Sequence, residues 1–213
     1  LFIRDPMETS LGRKIVDHGI KLVDSIGFEE FTFKKLATKI NSTEASMYRY
    51  FESKQKFVGY LLSWYWLWLN YLVEIKTQNV SDDKKRFEIL IETLTQSVQD
   101  DPATVHIDEA ALHRIVVRES AKAYSLKQIS QKERRGLHLA YEKFINSAAQ
   151  ISKGINSKYK FHKSLMVSIV EIVHQQLFAI NYFPETTEIK AKKSDYSELI
   201  KFICDLSFKT LEA

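Results

Sequence analysis

The chain has 213 residues, 45% hydrophobic and 27% charged, with a net charge of +4, which excludes a disordered or strongly polyionic protein and leaves enough apolar material for a core. A single cysteine, Cys204, excludes a disulfide framework or a cysteine-based zinc site, and its surroundings, FICDLSF, read as a helix face with a buried thiol. With three prolines, six glycines and almost no alternating β-branched pattern, the 3.6-residue recurrence of apolar positions predicts an all-α protein.

Leu1–Ser10 is too short and polar for a cleaved signal peptide, so a cytoplasmic location is expected, and Leu1–Pro6 is set aside as an incomplete start. The segment RKIVDHGIKLVDSIGFEEF then places Ile15, Gly19, Leu22, Val23 and Ile26 on one helical face, with Gly27 at a position where helices stop in a left-handed residue. Thr32 is placed to cap a short second helix, FKKLATKI, whose Phe33, Leu36, Ala37 and Ile40 repeat at i, i+3, i+4, i+7. Asn41 suits the left-handed residue of a tight turn. Thr43 is placed to cap a third helix, EASMYRYF, and Ser53 a fourth that opens with Lys54. Two short helices joined by such a turn are the helix-turn-helix pattern.

The charge sits where that pattern lies. Between Phe31 and Val58 six basic residues (Lys34, Lys35, Lys39, Arg49, Lys54, Lys56) face two acidic ones (Glu44, Glu52), so the rest of the chain is neutral in sum. With Met47 and Phe51 anchoring the third helix, Ala45, Ser46, Arg49 and Tyr50 are expected to face outward, with Tyr48 at the margin. Small residues allow close approach to base edges, and hydroxyls and a guanidinium reach bases or phosphates. Lys54 adds a cation at the start of the fourth helix, a place suited to a phosphate.

The stretch GFEEFTFKKLATKINSTEASMYRYFESKQKF resembles the DNA-binding domain of the TetR (tetracycline-repressor) family of bacterial regulators, over roughly Arg13 to Leu62. The resemblance lies in the Gly-Phe that ends the first helix, the Thr before the second, the Leu-Ala within it, and the Tyr48, Phe51, Lys54 run. It implies that Lys34 reaches bases from the second helix, that Glu44, Ala45, Ser46, Tyr48 and Tyr50 lie on the recognition helix, and that Lys54 binds a phosphate. The chain departs from the family pattern at Asn41-Ser42, where a Gly and an apolar residue are usual, and at Glu44.

Residues 57–73 form an uncharged run of seventeen that contains all three tryptophans. A membrane span is rejected because Trp64, Tyr65, Trp66 and Trp68 would sit mid-bilayer rather than at its interfaces, together with Ser63 and Asn70. The resemblance makes 54–78 a long connecting helix, apolar on every side because it packs on several neighbours. Further helices are expected over 82–99, opened at Ser81 and stopped by Asp101-Pro102, then over 106–124, 127–152, 163–183 and 195–212, with breaks at Gly154 and Asn156. The histidines show no metal-ligand spacing, although Glu109 and His113 lie four apart on one helix. The last two helices carry broad apolar faces, Leu165 to Ile180 and Leu199 to Phe208. In the resembled family such helices pair in a dimer, whereas the sequence alone leaves intramolecular packing equally open.

The expected organisation is an N-terminal three-helix DNA-binding domain over 1–56 and a larger helical ligand-binding and dimerisation domain over 57–213. The expected function is a homodimeric regulator, a repressor released from a palindromic double-stranded operator by a hydrophobic or aromatic small molecule. Lys34, Thr43, Ala45, Ser46, Tyr48, Arg49, Tyr50 and Lys54 are its candidate DNA contacts. Trp68, Tyr71, His113 and His174 are its candidate effector contacts. No catalytic constellation, metal site, cofactor or membrane partner is expected. The competing readings are a helical enzyme or small-molecule-binding protein with no nucleic-acid role, and a membrane-associated protein using the Trp-rich run.

Overall fold

The computed structural model describes residues 1–96, 107–124, 131–190 and 195–212, with the side chains of 119–124 and 131–137 outside the description. Within these residues the chain forms nine α-helices: α1 Ser10–Glu30, α2 Phe33–Lys39, α3 Glu44–Tyr48, α4 Lys54–Thr77, α5 Asp83–Thr95, α6 Glu109–Tyr124, α7 Gln131–Ile155, α8 His162–Tyr182 and α9 Ser197–Glu212. They fold into two compact units, one of Leu1–Tyr65 with Val98–Ala140, the other of Trp66–Ser97 with Tyr141–Ala213.

In the first unit α1 starts at Thr9, whose hydroxyl accepts the Gly12 N–H at 2.9 Å. It buries Ile15, Gly19, Leu22 and Val23 of the expected face, with Val16 and Ile20 besides, while Ile26, also expected there, is half-buried next to the break at Gly27. Gly27 breaks the helix at φ 78°, where a side chain would be strained, and Phe31 follows fully buried. Phe57 of α4 lies at the centre of this unit, stacked on Phe31 at 5.4 Å and edge-on to Phe51 at 5.1 Å. Gly19 makes room for that ring, since a Cβ there would overlap its tip. Helix α6 packs along α1. Arg114 and Arg118 of α6 both bind the Asp24 carboxylate, at 2.7 and 2.9 Å, and Arg118 also donates to the Asp24 carbonyl at 2.8 Å.

In the second unit α5, α8 and α9 pack on one another. Helix α5 is capped by Asp82, not Ser81: the Asp82 carboxylate accepts from the N–H groups of Lys84 and Lys85, and a carboxylate also matches the positive end of the helix dipole better than a hydroxyl does. The expected stop at Asp101-Pro102 lies outside the described residues. Gly154 does not break α7, which continues to Ile155; the Asp83 carboxyl occupies the space a Cβ would need. Asn156 does end it, and its amide donates to the Leu211 carbonyl of α9 at 2.7 Å. Cys204 is buried, and burial pushes its thiol up to about 11, so it is protonated and unreactive at neutral pH.

Among the described residues, no helix is long and apolar enough to cross a membrane. Trp66 and Leu69 are about 1% exposed, so this part of the Trp-rich run is core.

Candidate nucleic-acid interface

Helix α2 begins where expected, with the Thr32 hydroxyl accepting the Lys35 N–H at 3.2 Å. Its exit turns on Asn41 at φ 53°, and the Ser42 N–H closes back onto the Ala37 carbonyl at 2.9 Å. Helix α3 then spans only Glu44–Tyr48. One turn is too short to be stable by itself. It is held by Met47 and by Phe51 beyond it, both fully buried.

This anchoring exposes Lys34 on α2, and Thr43, Ala45, Tyr48 and Arg49 on and around α3, with Ser46 half-buried. Thr43 occupies the N-cap position without a hydrogen bond to the helix; its hydroxyl instead shares one with the Ser46 hydroxyl at 2.9 Å. Tyr48 lies edge-on to Phe33 at 5.2 Å and donates its hydroxyl to Glu44 at 3.3 Å. Two of the basic residues are drawn into ion pairs, Lys35 with Glu30 at 3.0 Å and Lys56 with Glu52 at 3.7 Å. The exposed Lys34, Lys39 and Arg49 remain as the cations of this face.

Tyr50 does not face outward. It is 3% exposed, its hydroxyl shares a hydrogen bond with Thr9 at 2.7 Å, and its carbonyl accepts the Ile3 N–H at 2.8 Å. The expectation carried the 3.6-residue period past Tyr48, where the helix has already ended, so the angular count no longer applies. Residues 1–6, set aside in the sequence, are part of this packing.

Lys54 opens α4 as expected, and Ser53 caps it by accepting the Lys56 N–H at 3.2 Å. Its ammonium donates to the carbonyls of Phe28 and Glu29, at 3.2 and 3.0 Å, and lies 4.8 Å from the Phe28 ring centre. A cation at the C-terminal carbonyls of α1 is favourable, so Lys54 has a structural task in this conformation.

The candidate effector residues are divided between the units. His113, in the first, is buried with Nδ1 2.8 Å from the Tyr65 hydroxyl. Burial, then the Arg114 charge, lowers its pKa to about 4, so the ring is neutral. Trp68 and His174 are buried in the second unit. There His174, Tyr141 and Phe144 surround Trp66, with ring centres 6.0, 4.7 and 5.2 Å away. Tyr71, 54% exposed, faces solvent and does not join that cluster. Among the described residues no three His, Cys, Asp or Glu side chains gather to hold a metal.

Residues 15–61 match the family described as bacterial regulatory proteins, tetR family. No curated protein sequence matches the chain. The fold is similar to that of the fatty acid degradation regulator FadR from Bacillus halodurans (TM-score 0.63, 13% identity, 92% of this chain and 96% of that one). It is also similar to AibR, solved with isovaleryl coenzyme A and operator DNA (0.61, 12%, 92% and 96%). The superantigen PfiT shares it too (0.63, 13%, 91% and 93%), so at these identities the likeness speaks for fold and not for activity. The helix-turn-helix geometry and the match over residues 15–61 agree: the chain carries the DNA-binding domain of the TetR family of bacterial regulatory proteins, within a fold that solved TetR-family regulators share.

Proposed function

We propose that the protein is a sequence-specific DNA-binding transcriptional regulator, a repressor released from its operator by a small-molecule effector. The observation that carries this is the one-turn helix α3, fixed from behind by Met47 and Phe51 so that Ala45, Tyr48 and Arg49 stand outward beside Lys34. In this reading residues 1–56 bind DNA and residues 57–213 bind effector and form the dimer. Two observations support the second role. Trp66, Tyr141, Phe144 and His174 form a compact aromatic group suited to a hydrophobic or aromatic effector. On the last two helices Val167, Phe202 and Leu206 are 37–41% exposed, apolar side chains that a second copy would cover. A cytoplasmic, non-catalytic role accompanies this reading.

Selection from a random duplex library tests it. A two-fold dimer presents two copies of α3, so the recovered site is expected to be a near-palindrome with half-sites about 10–10.5 bp, or a multiple, apart. Recovery of no enriched sequence would overturn the proposal.

Lys54→Ala is expected to weaken binding to every duplex alike and to reduce the salt slope by about one, because a phosphate contact carries no sequence information. An unchanged slope would leave Lys54 with its structural bonds to α1 alone.

A further inference from the structure

The strongest unexplained feature of the first unit is how residues 1–9, which precede the family match, engage the end of the recognition helix. They are built into α1. The Asp5 carboxylate accepts the Met7 N–H at 2.8 Å, the Arg13 guanidinium donates to the Met7 carbonyl at 2.7 Å, and Pro6 is buried against Gly12. A Cβ on Gly12 would overlap the Pro6 carbonyl, so the chain carries a glycine at the point where the segment crosses. Phe2 meets Tyr60 edge-on at 5.8 Å.

From that base the segment grips Tyr50 at three points. Thr9 bonds its hydroxyl, the Ile3 N–H bonds its carbonyl, and the Arg4 guanidinium lies 6.0 Å from its ring centre. Ile3 itself is 59% exposed, so the grip there is through backbone. Tyr50 is two residues beyond α3. A one-turn helix has little stiffness of its own, so its direction follows what holds its two ends.

We propose that residues 1–9 are a strap that sets the orientation of the recognition helix, with Tyr50 as the positioning residue through which it acts. The proposal rests on the DNA-binding reading for its functional meaning and on contacts within the first unit for its structure. The strap moves no base contact of its own; it narrows the range of angles at which Ala45, Ser46 and Arg49 meet a groove. Orientation matters to base readout and little to phosphate attraction, so the strap should govern selectivity.

The test uses the full chain and two variants. Tyr50→Phe removes the hydroxyl and keeps the ring; Ile3→Pro removes the backbone donor at an exposed position. Each is measured for affinity to a duplex selected by the wild-type chain, for affinity to a scrambled duplex, for salt slope and melting temperature, and for amide hydrogen exchange over residues 44–51. The expected result is about a 3- to 10-fold loss on the selected duplex, the effect of one net hydrogen bond, with scrambled-duplex affinity and salt slope unchanged and faster exchange over 44–51. Unchanged selected-duplex affinity in both variants would overturn the proposal. So would a slope reduced by about one, which would make the segment a phosphate contact, or a parallel loss on both duplexes with a lowered melting temperature, which would make it a general stabiliser. If the wild-type chain selects no duplex, the DNA-binding reading fails by itself. The exchange data then decide the strap separately: faster exchange over 44–51 in both variants supports it, and unchanged exchange overturns it.

Discussion

Phe57→Ala should cost about 3–5 kcal/mol of stability, a large share of the roughly 5–15 kcal/mol available to a folded domain. Phe57 is fully buried, with Phe31, Phe33 and Phe51 around it at ring distances of 5.4, 6.3 and 5.1 Å. Those rings belong to the exit of α1, the start of α2 and the segment after α3, so truncation opens a cavity that three elements share. They are large and already interlocked, and they cannot close it without leaving their rotamers. Phe161→Ala supplies the contrast: at 64% exposure the same truncation should change stability by no more than about 0.5 kcal/mol. Urea unfolding of both variants, followed by helical circular dichroism, makes the comparison. Equal midpoints would show that the aromatic cluster is not the core of the first unit.

Acid should destabilise the protein through His113. Burial first, and the Arg114 charge second, hold its folded pKa at about 4, against 6.5 for an ordinary histidine. The unfolded chain takes up the proton as pH falls through about 6.5, and the folded chain only near 4. Between those values the unfolded state binds more protons, so stability rises with pH. The contribution is fully present above pH 6.5 and is lost as the pH falls to about 4; at one pKa unit per 1.36 kcal/mol it amounts to about 3 kcal/mol. The Tyr65 hydroxyl bonds the ring, and Arg114 is the neighbouring charge that acts on it. His113→Gln keeps a polar partner for Tyr65 without a titratable charge. Between pH 7.5 and 4.5 the wild-type chain should lose about 2–3 kcal/mol more than this variant. Parallel pH dependences would show that His113 is not held neutral.

The position of His113 also bears on regulation. His113 precedes Arg114, which with Arg118 binds Asp24 of α1 and so ties α6 to the helix into which the strap is built. In the proposed reading, an effector that releases DNA must bind one arrangement of the protein better than the other, and the coupling is reciprocal.

Much of the first unit was legible in the sequence. The apolar face from Ile15 to Val23, the caps at Thr32 and Ser53, the left-handed Asn41 and the burial of Met47 and Phe51 all follow from interactions spanning at most four or five residues. Periodicity and capping chemistry record these directly, which is why they could be read without coordinates. The same locality explains the errors. Ser81 is a sound cap residue by type, but the carboxylate at Asp82 takes its place; Thr43 holds the N-cap position as expected, with its hydroxyl turned to Ser46 instead of to the helix N–H groups.

What the sequence determined by itself is therefore the all-α class, the order of the helices and the helix-turn-helix with its basic face. The tertiary structure alone decided that Tyr50 turns inward, because its partners Ile3 and Thr9 lie more than forty residues away. It likewise decided that the Lys54 ammonium serves the end of α1, that His113 is buried against Tyr65, and that Asp24 meets two arginines some ninety residues on. Each depends on which distant side chain arrives at a given place, and no periodicity within a helix encodes that.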